Sequence, residues 1–116
     1  VAPDPTTGAI LVLTTLPDAG LARDLVRTLV DRRLVACGTV IDRVTSVYRW
    51  EGTIEEAEEA QVILKARREC WEALQAALTE LHPYEVPEIL ALPVENGLPA
   101  YLAWVGTETD GRGCRG

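Results

Sequence analysis

Leu34-Val35-Ala36-Cys37-Gly38-Thr39-Val40-Ile41-Asp42-Arg43-Val44-Thr45-Ser46-Val47-Tyr48-Arg49-Trp50 runs straight into Glu51-Gly52. Thr53-Ile54 then leads through Glu55-Glu56-Ala57-Glu58-Glu59 to Ala60-Gln61-Val62-Ile63-Leu64-Lys65-Ala66. The first segment is dense in β-branched and aromatic residues, which fit a pleated, half-buried surface. Propensity alone would make the glutamate-rich stretch helical. Its neighbours on both sides are extended, however, and a helix there would break the pairing that Trp50 to Thr53 begins. The whole stretch is therefore read as one hairpin turning at Glu51-Gly52. Each arm would hold about 15 residues and, at ~3.3 Å per residue, reach roughly 50 Å. A compact chain of this length has a radius of gyration near ~13 Å, hence a diameter nearer ~35 Å. Such a hairpin must bend, break or project onto something else.

Upstream of it, Val1 to Gly8 carries two prolines and no periodicity, which reads as a disordered N-terminus over residues 1–8. Ala9 to Thr15 is a continuous apolar run suited to a central strand. Asp18 is placed to cap a helix whose stripe is Leu21, Ala22, Leu25, Val26, Leu29 and Val30. Downstream, Trp71, Leu74, Leu78 and Leu81 mark a second helix over Cys70 to Leu81, stopped by Pro83. Val86 to Val94 reads as a strand with prolines near both ends. Asn96-Gly97 turns the chain into a last short helix through Leu98, Tyr101, Leu102 and Val105. The Gly-rich segment that follows, residues 107–116, reads as a flexible tail. The predicted order is βαββαβ plus a terminal helix. This is an α+β, ferredoxin-like sandwich with a long β2-β3 hairpin, in a single domain over 9–106. Two helices would cover one sheet face. The other face is left bare, which together with the overlong hairpin points to self-association with closed symmetry.

Composition narrows the function. A net charge of −7 disfavours nucleic-acid and anionic-membrane binding, which need concentrated Lys and Arg. No apolar run approaches a membrane span, and no cationic leader precedes a hydrophobic region. Cys37, Cys70 and Cys114 give neither a CxxC pair nor a disulfide framework, so the expected compartment is the cytoplasm. A metal chaperone of this topology would need CxxC after the first strand, where Thr14-Thr15-Leu16-Pro17 has no thiol. An acylphosphatase-like enzyme would need an Arg between Leu16 and Gly20, and none is there. With a single histidine, no catalytic triad is legible and no enzyme activity is expected.

The runs Leu34-Val35-Ala36-Cys37, Thr45-Ser46-Val47-Tyr48-Arg49-Trp50-Glu51-Gly52, Gln61-Val62-Ile63-Leu64-Lys65, His82-Pro83-Tyr84-Glu85-Val86-Pro87-Glu88 and Tyr101-Leu102-Ala103-Trp104 occur in this order. Together they resemble the CutA1 divalent-cation tolerance family from about Ile10 to Val105. The resemblance implies a homotrimer whose long hairpins extend one another's sheets, similar to the PII signalling proteins. It also implies a link to copper and other divalent cations. Metal binding in some members is attributed to a Cys at the end of the first strand and to paired His residues before Pro-Tyr. Here those positions hold Thr14 and Leu81-His82, so His82 alone remains as a metal candidate.

Each candidate residue carries two readings. His82 is either a divalent-ion ligand, with no cofactor tightly bound, or the cap of a helix end before a rigid connector. Lys65, the only lysine, alternates onto one face with Gln61 and Glu59. It would meet either a small anion or a carboxylate across a subunit interface. By resemblance, Tyr48, Trp50, Glu59, Gln61, Lys65, Tyr84 and Glu88 line a cleft between subunits. Tyr48 and Trp50 equally suit interface anchoring. Glu55, Glu56, Glu58 and Glu59 either gather cations or form a solvated face. Cys37 fits a core, and Cys114 reads as a free thiol.

Overall fold

A computed structural model describes residues 7–114. The elements are β1 (Ala9–Leu16), α1 (Ala19–Asp31), β2 (Cys37–Trp50), β3 (Thr53–Arg67), α2 (Trp71–Leu81), β4 (Leu90–Pro93) and α3 (Pro99–Glu108), with a 3-10 turn at Arg68–Cys70 leading into α2. The sheet is antiparallel in the order β2-β3-β1-β4, the ferredoxin-like arrangement. The glutamate-rich stretch is strand, with Glu55 opposite Tyr48 and Glu59 opposite Val44. The Asp18 carboxylate caps α1 by accepting from the Leu21 amide at 2.8 Å.

Alternation along β3 sorts the two faces. Ala60, Val62, Leu64 and Ala66 are buried, and they meet Ile10, Val12 and Leu16 of β1. Ala22, Leu25 and Leu29 of α1 and Leu74, Ala77 and Leu78 of α2 close this core from one side. Leu21 and Val30 of the expected α1 stripe stay exposed, because only the centre of that stripe meets the sheet. Glu59, Gln61, Ile63, Lys65 and Arg67 point to the opposite, open face and are half-buried. Among the helices of the described residues, α3 lies there: Val105 is buried outside the main core, and the Tyr101 hydroxyl is 3.5 Å from Cys37 Sγ. Cys37 is thus half-buried beside an exposed helix rather than a core residue.

The hairpin outgrows the body that carries it. The chain measures 47 × 29 × 23 Å with a radius of gyration of 15.0 Å, above the ~13 Å of a compact chain this size. It also bends. Between Ile41 and Val44, β2 advances three residues while β3 goes from Gln61 to Glu59, a one-residue bulge, and Arg43 there has φ 60°. The extra residue reverses the parity of β2. Cys37, Thr39 and Ile41 face the open side before it; Val44, Ser46, Tyr48 and Trp50 face the same side after it.

Further expectations are corrected. β4 has four residues rather than spanning 86–94: only Leu90–Pro93 pair with Ile10–Leu13, and Pro87, which has no amide hydrogen to donate, lies in the irregular stretch before them. Cys114 is not a free thiol: it is disulfide-bonded to Cys70, 44 residues away, so spacing without a CxxC did not exclude a bond. The segment from 107, expected to be flexible, continues α3 to Glu108 and packs through Cys114, with Thr109 fully buried. At the other end, Thr7 is tied down rather than free. Its amide and hydroxyl both donate to the Val94 carbonyl, at 3.2 and 2.7 Å. The remaining N-terminal expectation, over 1–6, lies outside the described residues.

Candidate functional site

The residues converge where β1 ends and the hairpin continues alone. Pro83 forces the chain out of α2 at His82, whose extended backbone (φ −76°, ψ 136°) turns the imidazole back beneath the sheet. His82 Nε2 is 2.9 Å from the Thr15 carbonyl and 3.0 Å from Thr14 Oγ1, while Nδ1 accepts the Tyr84 amide at 3.1 Å. A carbonyl only accepts, so Nε2 carries the hydrogen and the ring is the neutral Nε2–H tautomer. Burial lowers the His82 pKa, outweighing the hydrogen bond to Thr15 and the Glu59 charge, which act the other way. Both ring nitrogens are therefore engaged. The imidazole pins the connector 82–84 to the end of β1.

That connector delivers Tyr84, whose hydroxyl donates to Glu59 Oε2 at 2.7 Å and whose ring lies 5.0 Å from that of His82. Burial, followed by the bond to Glu59 and its charge, raises the Tyr84 pKa. For Glu59, burial pushes the carboxyl up, but hydrogen bonds from Ser46, Tyr84 and Thr15 together with His82 bring it below the ordinary range. Glu59 is thus a fixed anion with an ordered shell of donors. Beside it, Gln61 Nε2 donates to the Thr14 carbonyl at 3.0 Å, which orients its side chain along the same strand.

Not every expected residue joins this group. Lys65 shares the face but lies six positions along β3, roughly 20 Å away at the usual strand rise. Its ammonium donates to Thr39 Oγ1 at 2.5 Å and belongs to none of the ion pairs among the described residues. Tyr48 and Trp50 stand exposed further out on the hairpin, on the Glu59 face, and Glu88 is exposed on the connector. Thr14 enters as a hydrogen-bond partner rather than as the position of a metal-ligating Cys, and Thr15 and Ser46 carry no site reading in the sequence. Alternation signals Thr15, which pairs with Gln61, but nothing local marks Ser46, because the bulge decides its face. Among the described residues no group of three His, Cys, Asp or Glu side chains is placed to hold a metal ion.

The family model for the CutA1 divalent ion tolerance protein matches residues 10–108. The chain belongs to the CutA1 family. A CutA homolog from Xenopus laevis is 45% identical over 92 residues, covering 79% of this chain but 61% of the relative, so this chain spans about three fifths of that protein. The divalent-cation tolerance protein CutA of Escherichia coli is 42% identical over 99 residues, covering 85% of this chain and 88% of the relative. The crystal structure of CutA from Xylella fastidiosa superposes with a TM-score of 0.86 at 41% identity, covering 89% of this chain and 99% of the other. The CutA1 match ends at Glu108, so Cys114 lies beyond it. No helix among the described residues is long and apolar enough to cross a membrane.

Proposed function

We propose that this CutA1 protein acts in divalent-cation tolerance as a homotrimer. Its open sheet faces and projecting hairpins complete one another, and its intersubunit clefts bind divalent cations, copper among them, weakly and without catalysis. One observation carries the reading: Ile41, Trp50, Leu90, Leu92 and Trp104 are exposed on or beside the sheet face that, among the described residues, α3 covers only in part. Exposed apolar side chains on an open face suit an interface, and closed symmetry finishes it. The name of the Escherichia coli relative supports the cation role. In this reading Glu59, with Tyr84 and the exposed Glu88, supplies oxygen ligands, and His82 acts from behind by fixing the connector. Calorimetric titration of the purified protein with Cu²⁺ tests it. Glu59→Gln should weaken binding severalfold and His82→Ala should weaken it only where the fold loosens; binding unchanged in Glu59→Gln would remove this site from the account.

Lys65 favours a second reading, a PII-like trimer whose clefts take a small anion. A Lys65 ammonium that forms none of the ion pairs among the described residues, on the same open face, is the observation behind it. A metabolite screen by thermal shift tests this reading, with shifts abolished in Lys65→Ala. A cytoplasmic location, the default from composition, would make Cys70–Cys114 a transient bond, since cytosolic disulfides are mostly catalytic or redox-sensing.

A further inference from the structure

Beyond α3 the chain doubles back as a strap. Arg67 of β3 donates from Nε to Thr109 Oγ1 at 2.7 Å and from Nη2 to the Thr109 carbonyl, fixing the helix end over the open face. From there residues 110–114 cross the C-terminal end of α1 to the start of α2. Although Cys114 is buried at the edge of the core, their polar hold is slight. The Gly111 amide donates to the Arg33 carbonyl at 3.0 Å, and Arg33 pairs with Glu108 at 3.6 Å and Asp110 at 3.3 Å, both exposed. Such exposed pairs contribute ~0–1 kcal/mol. The sequence is nevertheless cut to fit: a Cβ at Gly111 would lie 2.2 Å from the Arg32 carbonyl, and one at Gly113 (φ +97°) 2.6 Å from Ala73 Cβ. A segment shaped for close approach but weakly held is fastened at its end by Cys70–Cys114.

We infer that Cys70–Cys114 is a thiol-reducible fastener, and that its reduction by a dithiol releases the strap 110–114 and loosens the end of α3. The inference stands apart from the proposed assembly and metal role. Attack is assigned to the Cys114 sulfur because that residue is the less enclosed of the two, with 9% of its surface exposed against none for Cys70. A reductant thiolate bonding to Cys114 Sγ breaks the S–S bond and expels Cys70 as thiolate. Cys70 occupies the N-cap of α2, where unpaired amides and the helix dipole favour a departing negative charge. Burial opposes that charge, so the thiolate takes up a proton as the strap opens. The second reductant thiol then displaces Cys114. The products are two protein thiols and the oxidised dithiol, with two electrons and two protons passed to the protein.

The experiment uses the full chain as purified, before and after native-state incubation with dithiothreitol. Alkylation with mass spectrometry should find one reactive thiol, Cys37, before and three after. Amide exchange over 109–114 should then accelerate about tenfold or more while the β1–β3 core is unchanged. A Cys70→Ser, Cys114→Ser variant should exchange fast in both conditions and ignore the reductant. Three results would each overturn the inference: alkylation of all three cysteines before reduction, a bond reducible only after denaturation, or a strap equally protected once reduced.

Discussion

Trp50→Ala separates a lone subunit from an assembled one. In the subunit the Trp50 side chain is 57% exposed near the hairpin tip and belongs to no core cluster. If nothing covered it, truncation would cost little: exposed positions change stability by about ±0.5 kcal/mol, and strand preference adds at most ~1 kcal/mol. If a neighbouring subunit covers it, the 57% still open becomes buried area. A tryptophan presents up to about 250 Å², so roughly 140 Å² is available, worth ~3.5 kcal/mol per subunit at ~25 cal/mol per Å². The two cases differ by more than the error of a urea titration. The assay is equilibrium unfolding of wild type and variant at two protein concentrations about 20-fold apart, with the mass of the native species measured alongside. The expected result is a loss of about 2–3.5 kcal/mol per subunit with a concentration-dependent midpoint. A loss below ~1 kcal/mol with a concentration-independent midpoint would refute an interface at the tip.

Other outcomes follow from the same geometry. Acid should destabilise the protein in two steps. The folded His82 pKa is depressed below 6.5, so the unfolded chain takes up the proton first and stability falls as pH drops below 6.5 toward the folded value. The folded Glu59 pKa is depressed below 4.5, so its contribution, full above 4.5, is lost only as pH falls further through that value. Urea midpoints across this range should show both declines, with His82→Gln flattening the upper one alone. Gly38→Ala would place a Cβ 2.7 Å from Val26 Cγ1 and 2.9 Å from Leu64 Cδ2. Overpacking at that contact should cost about 1–3 kcal/mol, read as a lower urea midpoint at unchanged slope. Tyr84→Phe removes a hydrogen bond to an ionised carboxylate and should cost about 1–2 kcal/mol at pH 7, a loss that shrinks once Glu59 is protonated.

The fold was legible because its elements announce themselves at long range. The β-branched run through Trp50, the stripes of α1 and α2 and the stop at Pro83 each have one physical reading. The overlong hairpin could be inferred from rise per residue alone. Its bend could not, since the bulge at Asp42-Arg43 contains no glycine and is fixed by pairing. That bulge decides which hairpin side chains share a face with Glu59, so Ser46 was invisible until the register was known. His82 was found, but its chemistry was not: whether an imidazole offers a lone pair depends on Thr14, Thr15 and Tyr84, which meet it only after folding. The Cys70–Cys114 bond escaped for a related reason. Sequence separation does not measure distance, and here the tail returns across α1 to the start of α2.

In the proposed assembly three copies finish one another's open sheet face. Sedimentation equilibrium of the native chain across a range of micromolar concentrations addresses it most directly. A single species near 38 kDa, three times the 12.7 kDa chain, is expected. A stable, well-folded species at 12.7 kDa over the whole range would contradict it.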